Sequence, residues 1–273
     1  MSALSNYLEN ELLDHLLRGG GVEAYAPPTT LYFALFTSDP GESGNTGEVS
    51  GGSYARAAVT NNNVNFPQCA ASGTPTKTNG TTINFPTATA AWGTITHWAI
   101  YDAASGGTNM LMHGALSSPR YVASGDTPKI AAGALSITVS NATSGGLTEF
   151  AQRKLLDHAF GGPTYTPAGT VYLGLGTSIF GESLTEWDES SYARQAAAFD
   201  AAGLVTAGVT QNSDAETFTS NVLDGSATLN SFGVWDDATA GNLLVVGPLS
   251  TSRTVQNGDT ALIPDSGFSV TLQ

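Results

Sequence analysis

The chain begins with an apolar stripe at helical spacing. Leu8, Leu12, Leu13, Leu16 and Leu17 fall on one face of a 3.6-residue repeat, with Ser5 placed as an N-cap and Gly19-Gly20-Gly21 as a stop. From Leu31 the period changes to two. Leu31, Phe33 and Leu35 lie on one face of a predicted strand, and Tyr32, Ala34 and Phe36 on the other. Further strands are predicted over 54–60, 94–101, 110–116 and 134–139, separated by Gly, Asp and Asn turns.

The whole pattern then returns. Ala151, Leu155, Leu156, Ala159 and Phe160 repeat the helical stripe behind a cap at Thr148, and Gly161-Gly162-Pro163 ends it. Val171, Leu173 and Leu175 repeat the large apolar face, whereas Gly174 and Gly176 replace Ala34 and Phe36; the face that keeps its volume is read as the common core. Strands follow over 192–199, 228–235, 243–249 and 267–272. Thr37-Ser38-x-x-Gly41-Glu42-Ser43 recurs as Thr177-Ser178-x-x-Gly181-Glu182-Ser183, and Ser53-Tyr54-Ala55-Arg56 as Ser191-Tyr192-Ala193-Arg194. The offset is 143 at the helix (Leu155 against Leu12), 138 at Tyr-Ala-Arg (Tyr192 against Tyr54) and 133 at Gly-Asp (Gly258 against Gly125). Length is lost between motifs and never inside them, which sets the motifs on packed elements and loops around 19–29, 44–52 and 60–80. The expected architecture is mostly β: two tandem homologous antiparallel β-sandwich domains, at 1–140 and 141–273, each preceded by one α-helix.

Composition narrows the function. Acidic residues outnumber basic ones 23 to 9, for a net charge of −14, and the cations are scattered, singly except for Arg153-Lys154, which excludes the basic stripe that nucleic acid requires. The single cysteine, Cys69, allows no intrachain disulfide, and no secretion signal or membrane-length apolar run is present, so folding in a reducing cytoplasm without membrane insertion is expected.

Candidate chemistry is sparse. Arg56 and Arg194 recur within apolar strands; they are read as pinning a long loop through a carboxylate, with Glu42 and Glu182 as partners. Asp14-His15 and Asp157-His158 resemble a catalytic dyad, but adjacent helical residues point about 100° apart, and helix-end electrostatics is the better account. Glu182, Glu186, Asp188 and Glu189 around Trp187 are read as a solvated acidic loop rather than a metal site or glycosidase pair. His97 and His113 lie on neighbouring strands of the first copy alone. No phosphate cradle, zinc spacing or nucleophile elbow is found, so no catalytic, cofactor or metal residues are assigned and no enzymatic activity is expected.

The opening 5–15 segment, the Leu31–Glu42 segment with Asp39-Pro40-Gly41-Glu42, Gly52-Ser53-Tyr54-Ala55-Arg56, the 85–93 segment ending in Trp92-Gly93, and His97-Trp98-Ala99-Ile100-Tyr101-Asp102 together resemble a family of bacteriophage virion proteins labelled phage tail fibre proteins. The resemblance covers 5–140 well and the second half more loosely, with Ile179-Phe180 at Asp39-Pro40. It implies a non-enzymatic virion component, assembled in the bacterial host cytoplasm, attached at tail, neck or baseplate and partnered by other virion proteins. Self-assembly is expected, three two-domain chains supplying six similar domains to a sixfold ring. The alternatives are capsid decoration or a head fibre, and an adhesin module contacting host surface glycan through Trp187, Trp92 or Tyr165.

Overall fold

The computed structural model describes residues 2–18, 24–42, 46–106, 109–139, 146–188, 192–219 and 226–272. The glycine run 19–21 and the predicted junction near residue 141 lie outside them. The first repeat contains β1 (Ser2–Leu4), α1 (Asn6–Arg18), β2 (Thr30–Phe36), β3 (Ala57–Thr60), β4 (Thr76–Thr78), β5 (Ile83–Asn84), β6 (Gly93–Tyr101), β7 (Met110–Val122), β8 (Lys129–Ile130) and β9 (Ser136–Thr138). The second contains β10 (Gly146–Leu147), α2 (Glu149–Ala159), β11 (Val171–Phe180), β12 (Ser183–Glu186), β13 (Gln195–Ala197), β14 (Val209–Gln211), β15 (Glu216–Thr219), β16 (Ser226–Trp235), β17 (Leu243–Gln256), β18 (Thr260–Ile263) and β19 (Ser269–Thr271).

The two sets share one topology. The first main sheet runs β1-β7-β6-β2-β3 and the second β10-β17-β16-β11, with β12 and β13 both on β11. The small sheets β4-β9 and β5-β8 correspond to β14-β19 and β15-β18, and every pairing is antiparallel. The fold is therefore mostly β, two tandem antiparallel sandwiches each led by a helix. The predicted 60–80 loop contains the short strand β4, and the acidic stretch after Phe180 opens with β12.

Each helix is tied to its sheet at its N-cap. The Leu8 N–H donates to Ser5 Oγ at 3.2 Å, while the Ser5 N–H donates to Leu111 O at 3.0 Å and its hydroxyl to Met110 O. Thr148 does the same, accepting from Ala151 N at 3.3 Å and donating from Oγ1 to Leu243 O at 2.6 Å. Glu9 or Glu149 in the first turn, and His15 with Arg18 or His158 in the last, match the helix dipole. The predicted stripes are buried, with Leu8, Leu12, Leu13, Leu16, Leu155 and Leu156 all at 0 % exposure.

Two compact units form. Unit 1 comprises Met1–Glu9, Ala26–Val139 and Leu155–Tyr165; unit 2 comprises Asn10–Tyr25, Ser140–Lys154 and Thr166–Gln273. Each unit is thus completed by a helix end encoded in the other repeat. In unit 1 the core is double-faced. Leu31, Phe33 and Leu35 are buried as predicted, and Ala34, Phe36, Ala99, Tyr101 and Met110 form a second cluster on the opposite face.

Candidate functional site

The recurring Tyr-Ala-Arg segment builds the same polar centre in each unit. Arg56 donates from Nε and Nη2 to the two oxygens of Glu48, at 2.8 Å each, and from Nη1 to Ala103 O at 2.9 Å. Its guanidinium lies 3.6 Å above the Tyr101 ring, and the Tyr54 hydroxyl donates to Glu48 Oε1 at 3.1 Å while accepting from Leu35 N. Arg194 makes the corresponding fork on Glu186 at 2.9 and 2.8 Å, bonds Asp237 O and Ala240 O, and stacks 3.9 Å above Trp235. Tyr192 repeats Tyr54, bonding Glu186 and receiving Leu175 N. A planar guanidinium suits this bidentate, ring-stacked setting. Burial raises both tyrosine hydroxyls, and it pushes Tyr101 up to about 12.

The carboxylate partners differ from those expected. Glu48 and Glu186 hold the arginines, not Glu42 and Glu182. Arg56 and Arg194 stand just before β3 and β13 rather than inside the predicted strands; Glu48 bridges Phe36 of β2 and Glu186 pairs Gly176 of β11, the same strands that β3 and β13 pair with. Glu42 and Glu182 stand at turns and turn elsewhere. Glu42 Oε1 meets His113 Nε2 at 3.1 Å, and Glu182 Oε2 accepts the N–H of Glu149 at the start of α2, at 2.7 Å. The missed signal was a fixed spacing, since each partner precedes its arginine by 8 residues.

The two Asp-His motifs are also brought into these units without forming a dyad. Asp157 Oδ1 accepts Cys69 N at 2.8 Å and pairs with Lys77 Nζ at 2.7 Å, while Lys77 is at 0 % exposure and donates further to Phe66 O and Pro67 O. Burial and the Asp157 charge push the Cys69 thiol up to about 11, which leaves it without thiolate character at neutral pH. Asp14 Oδ1 accepts Ala202 N at 2.8 Å and pairs with Arg18 at 3.1 Å. Asn79 and Asn212, which no recurring sequence motif marks, form a third recurring set. Asn79 accepts from Leu135 N and donates to Thr81 O and Ala131 O; Asn212 accepts from Phe268 N and donates to Asp214 O and Pro264 O.

One titratable cluster belongs to the first repeat alone. His113 Nδ1 lies 3.5 Å and His97 Nε2 3.9 Å from Asp39, with Glu42 on the other nitrogen of His113. Burial, and secondarily Glu42, raise the Glu9 carboxyl to about 7. The N–H that Gly41 donates to its carboxylate, and then both histidines, lower Asp39. Among the described residues no group of His, Cys, Asp and Glu is arranged to hold a metal ion.

The indoles considered for glycan contact are not platforms. Trp92 is 6 % and Trp187 3 % exposed, because each ring packs on the tyrosine of the arginine centre at 5.2 Å between centroids. Tyr165 is half-buried. No helix among the described residues is long and apolar enough to cross a membrane.

A family model described as podophage GP4 fiber I protein gp80 matches the chain twice, over residues 3–138 and again over 146–271. No curated protein matches it.

Proposed function

The chain belongs to the podophage GP4 fiber I protein family and is a structural protein of the phage virion, and on that premise we propose that it is a tail-attached subunit assembling symmetrically with itself. The observation that carries this reading is the double match to a fibre family by two halves whose sheets share one strand order, β12 apart. A duplicated unit gives three chains six similar modules, which suits the threefold and sixfold axes of a phage tail. The recurring polar groups support a non-enzymatic role. Arg56, Arg194, Asp14, Asp157, Asn79 and Asn212 are each engaged by backbone or side-chain partners inside the fold. The lone cysteine and the acidic surface are consistent with assembly in the host cytoplasm beside other virion proteins.

Cryo-electron microscopy of wild-type particles against particles lacking this protein tests the reading. Loss of density at the tail with an intact head is expected. Loss confined to the capsid surface would make it a head decoration, and unchanged particles would exclude it from the virion.

A further inference from the structure

The two units leave different surfaces open, and the difference fits one copy of the chain to another. Unit 1 has a groove of about 550 Å³ between the long β6–β7 hairpin and the β8 strand, with Leu35, Ile95, Trp98 and Leu135 in its lining and Arg120 and Lys129 exposed along it. Unit 2 has the corresponding groove at about 240 Å³, lined by Leu175 and Leu229. Arg120 faces Ile95 in strand register and Arg253 faces Leu229, so the arginine recurs. The second cation does not. Leu262 replaces Lys129, and Asp259 joins the lining, so only the unit 1 groove carries a net positive charge. Arg18, Arg56, Lys77, Arg153 and Arg194 each meet a carboxylate; among the described residues neither Arg120 nor Lys129 does.

Unit 2 has the complementary knob. The β11–β12 hairpin extends to Phe180, which is 91 % exposed, with Gly181 at φ +60° making the turn and Glu182 beside it. The N–H of Glu149 fixes the Glu182 carboxylate in place. In the first repeat Pro40 occupies the matching position and is buried, so among the described residues no exposed ring stands there.

We propose that the Phe180–Glu182 hairpin tip of one chain docks in the Arg120–Lys129 groove of a second copy, the ring on the apolar floor and the carboxylate against the two cations. The charge complementarity is specific: a chain of net charge −14 offers two carboxylate-free cations beside an apolar groove, and its most exposed aromatic stands next to an anion. Groove and knob lie in different units, so the contact is heterologous and propagates into a ring or a fibre. This inference rests on the self-assembling reading above.

Sedimentation velocity of the full chain over a concentration series tests it. The wild type is expected to associate, and Phe180→Ser and Arg120→Glu each to weaken association roughly tenfold or more, as loss of an interface anchor does. Both positions are exposed, so circular dichroism and melting temperature should stay at wild-type values. Combining Arg120→Glu with Glu182→Arg should recover association. Wild-type association in Phe180→Ser would overturn this contact and leave the self-assembling reading standing. A wild-type chain that stays monomeric throughout would overturn both.

Discussion

The two repeats hold the same sheet with bulk placed differently. In the first, Ala34 and Ala99 flank Tyr101; in the second, Gly174 and Gly233 flank the larger Trp235. A β-carbon at Gly174 would stand 2.7 Å from the Trp235 ring and 2.6 Å from the Tyr192 hydroxyl. The indole that seals the arginine centre also changes origin. Trp92 reaches Tyr54 from far downstream, whereas Trp187 reaches Tyr192 from just upstream. The second half drops Trp92-Gly93 and keeps the ring. What is held constant is the filled volume around an arginine fork, not the residue that fills it.

Four substitutions sharpen that comparison. The largest effect is expected where a fully buried lysine depends on one carboxylate. Asp157→Ala strands Lys77 without its carboxylate at a fully buried site and should cost about 3–5 kcal/mol in urea unfolding. The matching Asp14→Ala loses one backbone bond and a partly exposed pair, at about 1 kcal/mol. Equal losses would mean that the buried pair adds nothing. Gly174→Ala should cost roughly 1–3 kcal/mol through overpacking against Trp235, and Gly174→Ala with Trp235→Tyr should recover part of it by making the site resemble the first repeat.

A further effect depends on pH. Glu9 aligns with Gln152, whose side-chain amide donates to Leu147 O. The folded Glu9 carboxyl titrates near 7 against 4.5 for the ordinary group, so the folded state binds its proton more tightly than the unfolded state. Its protonated form therefore costs nothing below about pH 4.5, and stability falls as pH rises through 7. Glu9→Gln should leave stability unchanged near pH 4 and raise it by about 1–2 kcal/mol near pH 8. A gain of equal size at both ends of a thermal-melt series would remove Glu9 titration as the cause.

Much of this was legible in the residues because it repeats. The helical stripes, the two-faced Leu31 strand and the Tyr-Ala-Arg centre each appear twice with their periods intact. The strands β4, β5 and β8 are two or three residues long and too short to display a period. Trp187 is surrounded by acids and reads as part of a solvated loop; only the fold turns its ring onto Tyr192. The exchange of helix ends was hidden for a different reason. Both helices carry an equivalent apolar stripe, and periodicity states which face is buried without naming the partner. Glu48 belongs to no recurring motif, whereas Glu42 recurs in one but serves His113.

The central claim is that what the repeats share is framework, built once in each unit. Unfolding free energies of Arg56→Lys and Arg194→Lys, measured side by side, test it most directly. Both variants lose the bidentate fork while keeping the charge, and each should be destabilised by about 1–2 kcal/mol, to within a few tenths of the other. Wild-type stability in either variant would contradict the account, freeing that arginine from the fold.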